Sequence, residues 1–175
     1  MMPKLAIFTL FSVWILVAPM QVGHLGLVVL VHDGDSITLK VGEEIVKTRL
    51  LYIDAPELSQ TCEGQKIGLQ AGKTLQALIL GKEIIFYDYG RDIYGRRLVE
   101  VFYQNQSLNL KMVKMGMSTL YARSRFESIK QKKTYLNAFY DAKKAKVGLH
   151  QCSRFEMPWH FRKRQKKVSQ KPKLP

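Results

Sequence analysis

Cysteine is scarce in this 175-residue chain: there are two, Cys62 and Cys152, far apart in the sequence. Two thiols at that distance do not make a zinc site. The four histidines, His24, His32, His150 and His160, show no metal-binding spacing either, so they read as surface or core residues. Acidic residues are also few, 14 against 28 lysines and arginines, a formal net charge of +14. That balance suits a polyanionic partner, although charge alone also serves solubility. No internal repeat is present, which excludes a solenoid or array. At 46% apolar and 24% charged, the composition is that of a globular protein and not of a disordered one. The length holds one domain with a real core, and not two comfortable ones.

Long apolar runs are likewise missing, with one exception. Lys4 precedes an uncharged stretch from Leu5 to Ala18. Roughly fourteen residues is short for a bilayer span and suits the hydrophobic stretch of a secretory signal. Pro19 directly follows Ala18, and the usual pair of small residues is missing before Gly23, so an uncleaved N-terminal anchor is the alternative. Residues 1–23 are therefore expected to be a signal peptide or anchor. The expected location is secreted or periplasmic, with membrane attachment through the N-terminus if the segment is retained. In an exported protein an even pair of cysteines is a disulfide candidate, so Cys62 and Cys152 are expected to bridge, against the alternative of two free thiols. Closing so long a loop would stabilise by roughly 4–5 kcal/mol in the chain-entropy model.

After the leader, strand signals come first. Leu27 to Val31 is a β-rich run, Asp33-Gly34 a turn signal, and Ser36 to Lys40 a second strand. A turn around Gly42 leads into a third strand over Ile45 to Ile53. Lys66 to Leu80 carries apolar residues at helical spacing and stops at Gly81. Two more strands follow, Glu83 to Tyr87 and Arg97 to Tyr103. Ser107 can cap a helix over Leu108 to Met115, and a longer helix is expected over Arg125 to Lys146. The fold class this predicts is α+β: a five-stranded barrel of the oligonucleotide-binding type, one helix between strands 3 and 4, and C-terminal helices. The domain spans 24–150, and 151–175 is expected to be a linker and basic tail. The tail segment 162–173 holds seven lysines and arginines and no acid; removing those seven and Lys4 from +14 still leaves +6.

Four clusters carry chemistry: Asp33-Gly34-Asp35, Arg49, Asp54-Ala55-Pro56-Glu57, and Tyr94-Gly95-Arg96. Phosphodiester hydrolysis adds negative charge to the nonbridging oxygens as water attacks phosphorus. Arginine suits that charge, because its planar fork makes two charge-assisted hydrogen bonds and stays protonated. Carboxylate oxygens such as those of Asp35 and Asp54 favour calcium or magnesium over softer metals. Glu57, stiffened by Pro56, can take a proton from a polarised water, or it can serve as a salt-bridge partner. Each element alone has a plainer reading: Asp33 as a turn residue, Arg49 as a brace for the barrel, Arg96 as a solvated charge.

Over about residues 26–150 the chain resembles the staphylococcal nuclease (thermonuclease) family. The matching stretches are VHDGDSITL (31–39), TRLLYIDAPE (48–57) and DIYGRRLVEV (92–101), in the family's order. The resemblance implies a five-stranded barrel with Asp35, Asp54 and the Ala55 carbonyl as calcium ligands. It implies Glu57 as general base, Arg49 and Arg96 as phosphate-binding arginines, and Tyr94 and Tyr121 as nucleotide contacts. It further implies cleavage of DNA and RNA to leave 3′-phosphate ends. Three departures concern substrate handling. Ile93 stands where the family's best-known member has a basic residue, Ala55 replaces a hydroxyl-bearing residue, and the Leu58 to Gly64 loop is shorter and less basic.

Together these readings describe an exported, calcium-dependent endonuclease, monomeric and with little sequence preference. The competing reading is a noncatalytic nucleic-acid-binding barrel. Retention of Asp35, Arg49, Asp54, Glu57 and Arg96 argues against it. The basic tail can add salt-sensitive affinity for a polyanion, and Met157 to Phe161 is expected to pack back on the body rather than stack bases.

Overall fold

The computed structural model describes residues 22–170; the expected leader lies almost wholly outside these residues. Strands β1 (His24–Val31), β2 (Ser36–Val41) and β3 (Glu44–Leu50) form an antiparallel meander, and β1 also pairs with β5 (Glu83–Arg91). β5 pairs antiparallel with β6 (Arg97–Tyr103), and β6 returns to lie parallel to β3 through Thr48–Arg97, Arg49–Leu98 and Leu50–Val99. That last pairing closes the five strands into the expected barrel and leaves no open edge between β3 and β6. Two short strands, β4 (Ile53–Asp54) and β8 (Thr119–Leu120), pair with each other, and β7 (Gln106–Ser107) extends a tight turn from β6.

Helix α1 (Ile67–Ile79) buries Ile67, Ala71, Leu75 and Ile79, one stripe at every fourth residue, and the last three join the barrel core of Val28, Ile37, Leu39, Phe86, Val99 and Val101. Two glycines let it lie close. A side chain on Gly68 would collide with the backbone carbonyl of Glu57, and one on Gly34 would meet the Ala55 and Ala71 side chains at 2.6 and 2.8 Å. The loop that carries Glu57 is thereby held directly against the first turn of α1.

Helix α2 (Leu108–Lys114) is capped by Ser107, whose hydroxyl accepts from the Leu110 amide. It plants Asn109 in the barrel seam. The Asn109 amide donates to the carbonyls of Leu51 and Val99, and its oxygen accepts from the Val101 amide, at 2.9–3.0 Å. Helix α3 (Ile129–Lys144) starts at its Ser128 cap and buries Tyr135, whose hydroxyl donates to Glu100 at 2.8 Å.

Three boundaries differ from the sequence expectation. The third strand stops at Leu50, because Tyr52 takes a left-handed backbone (φ 71°) that breaks the ladder before Ile53. The long helix begins at Ile129 instead of Arg125, where Ser128 supplies the cap that Arg125 lacks. The third concerns the expected linker and tail: Pro158–Ser169 is a helix, α4, with Pro158 in its first turn and both Pro158 and Phe161 buried. Among the described residues no helix is long and apolar enough to cross a membrane.

Candidate active site

The site grows out of the β1–β2 turn. The Asp33 carboxylate accepts from the Asp35 amide at 2.9 Å, a local turn that points the Asp35 side chain into the barrel mouth. There Asp35 is almost fully buried. Its Oδ1 accepts from Ser36 Oγ (3.0 Å) and Arg49 Nη1 (2.9 Å), and its Oδ2 from the Ala55 amide (2.8 Å). Arg49, one strand over and in register with Ser36, reaches with Nη2 to Asp54 Oδ1 at 2.7 Å. Asp54 itself is buried in the β4–β8 pair, where Thr119 donates to its backbone carbonyl at 2.9 Å. One guanidinium therefore joins the two carboxylates that the sequence places nineteen residues apart, as expected if both face one ligand.

Electrostatics follow from burial. Desolvation pushes the Asp35 carboxyl up to about 7; Arg49 opposes the rise, while Asp33 and Asp54 add to it. Burial works against the charge on Arg49, yet Asp35 and Asp54 more than offset it and hold its pKa above the ordinary arginine value. Two buried carboxylates brought together on Arg49 are a fit for a hard cation, since the donors at hand are oxygens. Among the described residues no group of three or more His, Cys, Asp or Glu could hold a metal, so a cation here would rely on two carboxylates and backbone oxygen.

Arg96 stands across the mouth. Its Nε and Nη2 donate to Asp92 Oδ2, both at 2.8 Å, and its Nη1 to Ser36 Oγ at 3.2 Å, so Ser36 links it to Asp35. Asp92 also accepts from the Tyr94 and Arg96 amides. These bonds and the Arg96 charge hold its pKa below the usual carboxylate range, although burial pulls the other way. The Tyr94 ring lies 5.7 Å from the Arg96 guanidinium and the Tyr121 ring 5.7 Å from that of Arg49, the cation–π range. Tyr94 is 71% exposed and Ile93 91%, at the lip of a cleft of about 1260 Å³. Arg49, Glu57, Tyr94, Arg96 and Tyr121 all line that cleft, so the structure brings the expected site residues to one place, with Asp35 and Asp54 beneath.

The sequence reading missed Arg162. From α4 its Nη1 donates to Glu57 Oε1 at 2.7 Å, and its Nη2 to both oxygens of Asp54 at 3.0 and 2.9 Å. Burial disfavours its charge, but the bonds to Asp54 and Glu57 outweigh that and raise its pKa. A signal was present: Pro158-Trp159-His160-Phe161 sets an apolar segment directly before the basic run, the mark of a segment that docks and places the first residue of that run, Arg162, at the body. Gln60 also went unnoticed. It is buried, receives the Glu57 amide at 3.3 Å, and donates to the Glu156 carbonyl at 2.5 Å, tying the Glu57 loop to the start of α4.

Cys62 and Cys152 are free thiols lying side by side, the Cys152 thiol pushed up to about 12 by burial and by its hydrogen bond to Cys62. The neighbouring Ser153 amide and hydroxyl both donate to Glu63, a second tie between the same two segments.

Known proteins resemble the chain over most of its length. The family described as "Staphylococcal nuclease homologue" matches residues 47–152. A Haemophilus influenzae protein named "Uncharacterized endonuclease" is 36% identical over 140 residues, covering 79% of this chain and 73% of that one. A Shigella flexneri protein named "Micrococcal nuclease" is 29% identical over 153 residues, 82% of this chain and 83% of its own. The Escherichia coli "Protein ParB" is 28% identical over 161 residues, 87% and 86% of the two chains.

Proposed function

The chain belongs to the staphylococcal nuclease family, and we propose that it is an exported, calcium-dependent endonuclease that cuts DNA and RNA with little sequence preference. The observation that supports this reading is the convergence of Arg49 and Glu57 on the cleft, with Asp35 and Asp54 joined beneath by Arg49 and Arg96 linked to them through Ser36. Asp35, Asp54 and the Ala55 backbone would hold the calcium ion, which supplies charge neutralisation and polarises water when bound.

The chain's own groups do the rest. Arg49 and Arg96 each present a guanidinium to the cleft, and both can bond the nonbridging oxygens of a phosphate as their charge grows. Tyr94 and Tyr121 flank those arginines and offer ring faces to a nucleotide. Glu57, at the cleft wall, accepts the proton of the attacking water. Attack breaks the P–O5′ bond; O5′ leaves as a hydroxyl, taking its proton from solvent water, and the phosphate stays on the 3′ oxygen. The protein acts as a monomer. Residues 1–23 direct export, by cleavage or as a retained anchor, and in an oxidising compartment Cys62 and Cys152 close into a disulfide, since they already lie in contact.

The test is degradation of single-stranded DNA and RNA by the purified protein, with calcium and with a chelator, beside Glu57→Ala and Arg96→Ala. Calcium-dependent cutting that falls at least a hundredfold in both variants is expected. A folded protein that binds nucleic acid and never cuts it would move the assignment to a noncatalytic binding barrel. The observation favouring that second reading is the Arg162 contact with Glu57 and Asp54.

A further inference from the structure

The first turns of α4 are fastened to the body at several points. Pro158 and Phe161 are buried, Gln60 holds the Glu156 carbonyl, and Ser153 is bonded to Glu63. Beyond Arg162 every described residue of the helix is exposed. Arg162 is thus the last residue of α4 that is not exposed, and all of its side-chain bonds go to site groups. Both of its terminal nitrogens bond carboxylates: Nη1 takes Glu57 and Nη2 takes the two oxygens of Asp54. Asp54 Oδ1 also accepts from Arg49.

This arrangement has a chemical consequence. The lone pairs of Asp54 that could face a cation are engaged by two guanidinium groups, and Glu57 is engaged by one of them. A divalent cation bound to Asp54 would share the carboxylate with Arg162 and be repelled by it at close range. Of the two arginines, Arg49 is deeply buried and also holds Asp35, whereas the Arg162 side chain is 33% exposed and has solvent to move into. The one that can yield is Arg162.

We propose that Arg162 is a third arginine of the active site, a positioning residue that competes with the divalent cation for Asp54 and restrains Glu57 until the cation displaces it. The inference rests on the reading of Asp54 as a cation ligand and Glu57 as the base. Arg162 thereby couples metal binding to release of the base, and keeps the buried carboxylates compensated when no cation is bound.

The experiment is calorimetric titration of calcium into the metal-free full-length protein, wild type beside Arg162→Ala, Arg162→Gln and Arg162→Lys. Lys167→Ala, on the same helix but outside the cleft, controls for general loss of positive charge. Removing Arg162 is expected to tighten calcium binding about tenfold, the modest end for charge-assisted pairs that water partly screens. Arg162→Lys should fall between, and Lys167→Ala should change affinity less than about twofold. A melting measurement on the same samples gives a second readout: with chelator Arg162→Gln melts below wild type, and calcium raises its midpoint more. Calcium affinity that is unchanged or weaker in both Arg162→Ala and Arg162→Gln overturns the proposal, as does a Lys167→Ala effect of equal size. Cleavage of single-stranded DNA by the same samples separates the two readings. A protein that cuts, yet whose calcium affinity ignores Arg162, loses only this inference; one that neither binds calcium nor cuts loses both.

Discussion

Arg49→Met isolates what the buried arginine does for the fold from what it does for chemistry. Methionine keeps the length and apolar stem of the side chain and removes the fork. Two charge-assisted bonds of 2.9 and 2.7 Å disappear, and Asp35 and Asp54, at most 4% exposed, lose the cation between them. Breaking a buried pair by removing one partner costs about 3–5 kcal/mol. Arg162 still compensates Asp54, so the lower end, about 3 kcal/mol, is expected. For a domain of this size that is a drop in melting midpoint of roughly 6–12 °C in the presence of a chelator. Calcium at about a hundred times its dissociation constant stabilises the native state by about 2.7 kcal/mol. The uncompensated carboxylates of the variant bind calcium more tightly, so its calcium-induced rise should exceed that of wild type. Cleavage, in contrast, should stay at least a hundredfold down with calcium present, because the phosphate contact is gone. Adding Asp35→Asn removes the stranded charge and should return part of the lost stability without any activity. Thermal melts by circular dichroism at pH 8, above the value near 7 at which Asp35 takes up its proton, and a single-stranded DNA cleavage assay read all four quantities. A chelator midpoint within about 2 °C of wild type, or equal calcium-induced rises, would refute the argument that Arg49 compensates two buried carboxylates.

Other perturbations test other parts of the structure. Asp35 keeps its proton up to about 7 when folded and releases it near 3.8 when unfolded, so the native state binds more protons between those values. Stability of the metal-free protein therefore falls as pH rises through that window; it should melt higher at pH 5 than at pH 8, and Asp35→Asn should flatten the difference. Asn109→Ala strands the Leu51 carbonyl and the Val101 amide, while the Val99 carbonyl keeps its bond from the Leu51 amide, and should lower stability by about 2 kcal/mol, seen as a lower urea midpoint at unchanged slope. Lys163 and Lys166 line the cleft from α4; replacing both with alanine should reduce the slope of log binding constant against log salt for single-stranded DNA by about 1.4.

The barrel was legible because its information is local. Alternation in Ser36–Val41, the Asp33-Gly34 turn and the Ile67–Ile79 stripe each report on a few neighbouring residues, and each element appears where its pattern lies. Asp54 ends β4 and Glu57 follows three residues later, so finding one found the other. The strand end at Leu50 was not legible, because Leu50-Leu51-Tyr52-Ile53 is apolar and β-rich throughout. Only the Asn109 amide arriving from α2 and the left-handed turn at Tyr52 decide where the ladder breaks.

The sequence by itself determined the five barrel strands, α1 and most of α2 and α3, but not α4, since propensity, turn chemistry and hydrophobic period act over a few residues. Only the tertiary structure decided that Arg49 bridges Asp35 to Asp54, that Gln60 grips the Glu156 carbonyl, and that Arg162 lies on Asp54 and Glu57. Those partners are separated by up to 108 positions, and no local rule encodes such a distance. Each pair exists because packed elements bring the groups within hydrogen-bond reach, and because a buried charge must find its partner wherever the fold has put one.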